Sequence, residues 1–201
     1  MAARFAHRDV AFFAAGAAVV SAGFILWLSV ESTPARRQFD GAEGERLTAG
    51  ILRGLRSRRW KCAHNIHFLA GDVDHVVAGP GGVFAIETKW TNDACPVKNG
   101  AFTNEWDVKA VRQAQRGAER VGWLLAGNYN VPVKVRALVV IWGPGRPKLD
   151  KPLPMGDVLV VTGQLLRGVI SDAEAIDTDL SSAVIEAIDD FARERHQHGD
   201  T

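Results

Sequence analysis

Cysteine, tyrosine and methionine are nearly missing from this chain: two, one and two copies in 201 residues. With only Cys62 and Cys95, a disulfide scaffold is excluded and a reduced, cytosolic main domain is expected. An excess of charge of either sign is also missing. The 24 Lys and Arg stand against 23 Asp and Glu, a formal net charge of +1, so no whole-protein attraction to nucleic acid is expected and any basic surface must be local. There is no internal repeat, and no phosphate-binding loop: Gly143-Pro144-Gly145-Arg146-Pro147 lacks the Gly-Lys-Ser/Thr ending. It is expected to be a surface loop, with Arg146 and Lys148 in a position to touch a phosphate backbone. What is present, 47% hydrophobic and 23% charged residues, is the composition of a chain that packs a core. At roughly 100 to 200 residues per domain, one domain and a short appendage are expected.

The appendage is the uncharged run from Val10 to Val30, VAFFAAGAAVVSAGFILWLSV. As a helix rising about 1.5 Å per residue it spans roughly 31 Å, near the hydrocarbon thickness of a bilayer. A cleaved signal peptide has a shorter apolar core, and a buried soluble helix is rarely apolar on every face. Residues 1–30 are therefore expected to be a tail and transmembrane anchor, with the helix over about 10–30. Arg4 and Arg8 precede the run; Arg36, Arg37, Arg46, Arg53, Arg56, Arg58, Arg59 and Lys61 follow it. That bias predicts a single-pass membrane protein with a cytoplasmic C-terminal domain. Arg36 and Arg37 are candidates for contact with anionic lipid. The cluster Arg53 to Lys61 is read either as a solvated helix end or as a surface for lipid or nucleic acid.

Residues 31–39, ESTPARRQF, lack an apolar period and predict a linker. The domain is expected over 40–195, with 196–201 as a polar tail containing His196 and His198. Asp40 can cap a helix over about Ala42 to Arg58, buried along Leu47, Ile51, Leu52 and Leu55. Strands are expected over Trp60–Leu69, Asp72–Ala78 and Val83–Trp90, with Gly79-Pro80-Gly81-Gly82 turning between the last two. Val111, Ala114, Ala118, Val121 and Leu125 mark an amphipathic helix over Asp107–Ala126. Strands over Val131–Trp142 and Asp157–Thr162 follow, then helices over Gly163–Ile170 and Leu180–Arg195. This order predicts an α/β fold, a mixed sheet flanked by helices.

A two-residue turn at Pro80-Gly81 makes paired residue numbers sum to 161, which sets Asp74 opposite Glu87. Opposed side chains share a face at roughly 4.5 to 5.5 Å between Cβ atoms, and strand periodicity brings Lys89 onto the same face. A loop one residue longer would send Asp74 to the other side. Two adjacent carboxylates repel each other unless a cation lies between them. Oxygen-only ligands suit Mg²⁺ or Mn²⁺, and with a nearby ammonium this is the apparatus of phosphodiester hydrolysis. The plain alternative is a pair of carboxylates on a solvated strand face, salt-bridged to Lys89. Cys62, His64 and His67 lie close in sequence, but alternation separates His67 from the other two and no second ligand pair follows, so no zinc site is expected. His75, facing away from Asp74, is expected to be a packed strand residue.

Three motifs in order, Gly41-Ala42-Glu43-Gly44-Glu45, Gly71-Asp72-Val73-Asp74-His75-Val76-Val77 and Gly82-Val83-Phe84-Ala85-Ile86-Glu87-Thr88-Lys89-Trp90, resemble the nuclease-related domain, NERD, of the PD-(D/E)xK nuclease superfamily. The resemblance spans roughly Asp40 to Ala126 and implies a restriction-endonuclease-like core. It implies site roles for Asp74, Glu87 and Lys89 at the D…ExK positions, Glu45 at the acidic position of GxxGE, and Gln113 on the following helix. Where the family often carries Asn-Pro before that Gln, this chain has Lys109-Ala110. The implied metal ligands are Asp74, Glu87 and Glu45, the implied cofactor Mg²⁺ or Mn²⁺, and the implied partner nucleic acid, DNA ahead of RNA. A different class of function fits the same residues: a membrane-tethered interaction module that keeps the fold without cutting.

Overall fold

The computed structural model describes residues 17, 19–24, 34–55, 60–98, 100–102, 106–176 and 178–198. The chain divides into two compact units, Met1–Asp40 and Gly41–Thr201. In the first, residues 17 and 19–24 are helical and exposed. The rest of the expected anchor, within 10–30, lies outside the described residues, and among those residues no helix is long and apolar enough to cross a membrane.

Helix α1 covers Pro34–Arg53. It begins earlier than expected, so the linker assigned to 31–39 is helical from Pro34 onward and Asp40 lies inside the helix, not at its cap. Proline opens a helix readily because its fixed φ suits the first turn and its missing N–H is not needed there. The buried line also differs from the expected one. Gly44, Thr48, Leu52 and Leu55 face inward, whereas Leu47 and Ile51 are only partly covered.

The strands β1 (Lys61–Phe68), β2 (Gly71–Gly79) and β3 (Gly82–Trp90) form an antiparallel meander. A two-stranded hairpin follows, β4 (Val97–Lys98) with β5 (Ala101–Phe102). Helix α2 (Trp106–Asn128) then crosses over to β6 (Val135–Trp142), which pairs parallel with β3. After β7 (Leu153–Met155), strand β8 (Val158–Thr162) pairs parallel with β6 and antiparallel with β7. The six-stranded mixed sheet runs β1-β2-β3-β6-β8-β7. Helices α3 (Gly163–Ser171) and α4 (Thr178–His198) close the chain, so residues 196–198, expected as tail, are helical.

The sheet is sandwiched between helices. On one face Val76, Ala85, Val139 and Val160 pack with Ala114, Val121 and Leu125 of α2 and Val184 and Ile188 of α4. On the other, Val77, Phe84, Ile86 and Val140 pack with Leu52 of α1, Leu55 in the turn after it, and Leu166 and Ile170 of α3. Burying each such side chain contributes about 1.5 to 3 kcal/mol relative to exposure, which explains why β3, β6 and β8 read as near-continuous apolar runs. The loop Gly143–Pro147 is not a free surface loop. A Cβ at Gly143, where φ is +94°, would overlap the Thr91 carbonyl oxygen, and Gly145 N–H donates to that oxygen at 3.0 Å. The loops leaving β3 and β6 are thereby joined backbone to backbone.

Candidate active site

The hairpin register is the expected one: Gly79 faces Gly82, and His75 faces Ile86, each pair summing to 161. The paired ladder stops at His75 and Ile86, one residue short of Asp74 and Glu87. There the ladder gives way to a side chain, because the backbone N–H of Thr88 donates to Asp74 Oδ2 at 2.7 Å. Strand β2 is distorted at this point. Val73 and Val76, three apart, both join the α2-side core, which breaks the two-residue alternation, and Asn65 on β1 has φ +51°.

Glu87 is almost wholly buried, at 4% side-chain exposure, and its Oε1 lies 2.5 Å from Lys89 Nζ. That ammonium also donates to Gln113 Oε1 at 3.1 Å, tying α2 to β3. Lys89 is thus held by one residue of its own strand and one of the crossover helix. Glu45 is half-buried on α1, within electrostatic reach of both Asp74 and Lys89. All five residues singled out in the sequence therefore come to one end of the sheet, at the mouth between β2 and β3.

The electrostatics are those of crowded carboxylates. Burial and the Asp74 charge push Glu87 up to about 7, against the opposing pull of Lys89. Burial, resisted by the Thr88 hydrogen bond and by Lys89, raises Asp74, and burial with the Asp74 charge raises Glu45. A cation would relieve this crowding, and the donor set, all oxygen, suits Mg²⁺ or Mn²⁺. Asp74 and Glu87 fit such an ion as a two-carboxylate site completed by water. Among the described residues no three His, Cys, Asp or Glu side chains are gathered to hold a metal, so the three-ligand set with Glu45 is not preassembled.

Sequence reasoning missed how α1 is seated. Thr48, fully buried, accepts from Trp142 Nε1 at 2.8 Å and from Thr88 Oγ1 at 3.2 Å. A Cβ at Gly44 would stand 3.1 Å from Thr88 Cγ2, so glycine lets the helix approach β3 closely and bring Glu45 to the site. A polar residue inside an otherwise apolar stripe was the available signal. The other histidines serve elsewhere. His64 Nδ1 lies 2.8 Å from His75 Nδ1, and His67 pairs with Asp72 at 2.9 Å. His75 is buried as expected, its Nε2 without a hydrogen-bond partner, and burial followed by the His64 charge lowers it to about 3.

A mixed α/β sheet with an acidic and lysine-bearing mouth defines the class of protein. The family model described as nuclease-related domain matches residues 40–142, half of the chain, and the chain belongs to the NERD family. No curated protein matches it.

Proposed function

We propose that this protein is a membrane-anchored nuclease with a restriction-endonuclease-like core, hydrolysing phosphodiesters of nucleic acid, DNA ahead of RNA, with Mg²⁺ or Mn²⁺. The observation that carries this reading is the Glu87–Lys89–Gln113 chain beside Asp74: a partly buried ammonium fixed by two acceptors next to a pair of crowded carboxylates. The roles follow from that placement. Asp74, held by the Thr88 N–H, and Glu87 hold the ion, with Glu45 adding negative charge from α1. Lys89 orients the attacking water and stabilises charge on the phosphoryl oxygens, an effect worth most where donors are fixed before the reaction. Gln113 positions Lys89. The bound ion supplies Lewis-acid polarisation of a phosphoryl oxygen and a water more acidic than bulk.

Anchoring is supported by the 21-residue uncharged run Val10–Val30 and by exposed Val19, Val20 and Phe24 within it. The charge bias after the run supports a cytoplasmic domain, and Arg36 and Arg37 are the proposed lipid contacts. The experiment is cleavage of single-stranded and duplex DNA and RNA by the purified full chain in detergent. Cutting with Mg²⁺ or Mn²⁺ that chelation abolishes is expected. Binding without cutting under either ion would favour the non-catalytic interaction module instead.

A further inference from the structure

Helix α2 carries a second feature outside the five site residues. Lys109, Arg112, Arg116 and Arg120 recur at spacings of three, four and four, which confines them to an arc of about 80° at 100° per residue. With Ala70 of the β1–β2 turn and Gly71 and Asp72 at the start of β2 they line a cleft of about 670 Å³ that also includes Gln113. The cleft therefore opens directly onto the residue that holds Lys89. Arg120 donates to the Ala70 carbonyl oxygen and so braces the turn against the helix. Asp72, the acid in the cleft, is engaged by His67. Lys109, Arg112 and Arg116 are exposed. Three residues past Arg120, on the same face, stands Trp123, 73% exposed. The indole at the end of the cationic ridge thus leaves its ring face open to a planar partner.

We propose that this ridge binds a single-stranded segment of the substrate nucleic acid, the cations following successive phosphates away from Lys89 and Trp123 stacking on an unpaired base. The inference rests on the nuclease reading and adds to it the strandedness of the substrate. Arg112 to Arg116 rises about 6 Å along the axis and Arg112 to Trp123 about 16 Å, a reach of a few nucleotides. Stacking requires an unpaired base, so a continuous duplex would forgo it. An anionic membrane would use the charges but gives no reason for continuity with Gln113.

The test is fluorescence anisotropy with the full chain in detergent and chelator, using a labelled mixed-sequence single-stranded DNA, the RNA of the same sequence, and their duplexes. Phosphatidylserine vesicles form a separate arm. Replacing Arg112→Gln together with Arg116→Gln is expected to weaken single-strand binding and reduce the slope of log affinity against log salt by about 1.4, at about 0.7 per phosphate contact. Trp123→Ala is expected to weaken binding about tenfold with the slope unchanged, because stacking releases no counterions. Arg146→Gln with Lys148→Gln is expected to change neither. The proposal is overturned by an unchanged slope in the Arg112/Arg116 variant, by the loss appearing in the Arg146/Lys148 variant, by a silent Trp123→Ala, or by losses confined to vesicles. A native chain that binds no nucleic acid overturns this inference and the nuclease reading together. One that cuts DNA and ignores these substitutions overturns the inference alone.

Discussion

Glu87 is the residue under most tension. Its folded pKa of about 7 lies above its ordinary 4.5, so the folded state keeps a proton that the unfolded chain releases. That contribution to stability is fully present below pH 4.5 and is lost as pH rises through 7. His75 has the opposite sign: lowered from 6.5 to about 3, its contribution is present above pH 6.5 and lost as pH falls toward 3. The two oppose each other between pH 4.5 and 6.5. Glu87→Gln keeps an acceptor for Lys89 and removes the titration, so without metal the variant is expected to match the native chain near pH 4.5. It should become more stable by on the order of 1–3 kcal/mol at pH 8. Chemical denaturation across pH measures the gap; a gap that fails to open with rising pH would contradict the crowding argument. Much of this site was legible in residue numbers, because a two-residue turn fixes the register as far as His75 and Ile86, next to which Asp74, Glu87 and Lys89 stand. The distortion at Asn65 and Val73 was not, since it leaves the pairing sums unchanged.

At the scale of elements, the seat of α1 decides whether Glu45 reaches the site. Thr48 sits at 0% exposure with two donors aimed at its hydroxyl. Thr48→Val keeps the shape but leaves Trp142 Nε1 and Thr88 Oγ1 without their acceptor, at a cost of about 1–3 kcal/mol. Urea denaturation is expected to show that loss, with Thr48→Ser recovering most of it; a neutral Thr48→Val would mean that helix packing alone holds α1. The strands and α2 showed in the sequence because their apolar periods are long. Residues 34–39 did not show as helix, since exposed Phe39 gives that turn no buried period. β4, β5 and β7, two or three residues long, are too short to carry a period. Gly143 and Gly145 resembled ordinary loop glycines, and only the facing Thr91 and Asp93 backbones reveal why they are needed.

For the whole molecule, the compact unit Gly41–Thr201 contains all five site residues and the α2 ridge. Removing residues 1–30 is expected to turn a detergent-requiring protein into a soluble one with the same thermal unfolding profile. A full-length chain that partitions unprocessed into the aqueous phase would contradict the anchor. Mg²⁺ or Mn²⁺ is expected to raise the melting temperature of the native chain, because the ion binds the assembled carboxylates and not the dispersed ones. Glu87→Gln is expected to abolish that rise. The most direct measurement compares Lys89→Ala with the native protein for metal-dependent phosphodiester cleavage while following the Mn²⁺-induced thermal shift in both. If Lys89 orients the water and carries transition-state charge, cleavage falls by about 100-fold or more and the thermal shift persists. Cleavage undiminished by Lys89→Ala would contradict the assignment of catalysis to the Glu87–Lys89–Gln113 chain.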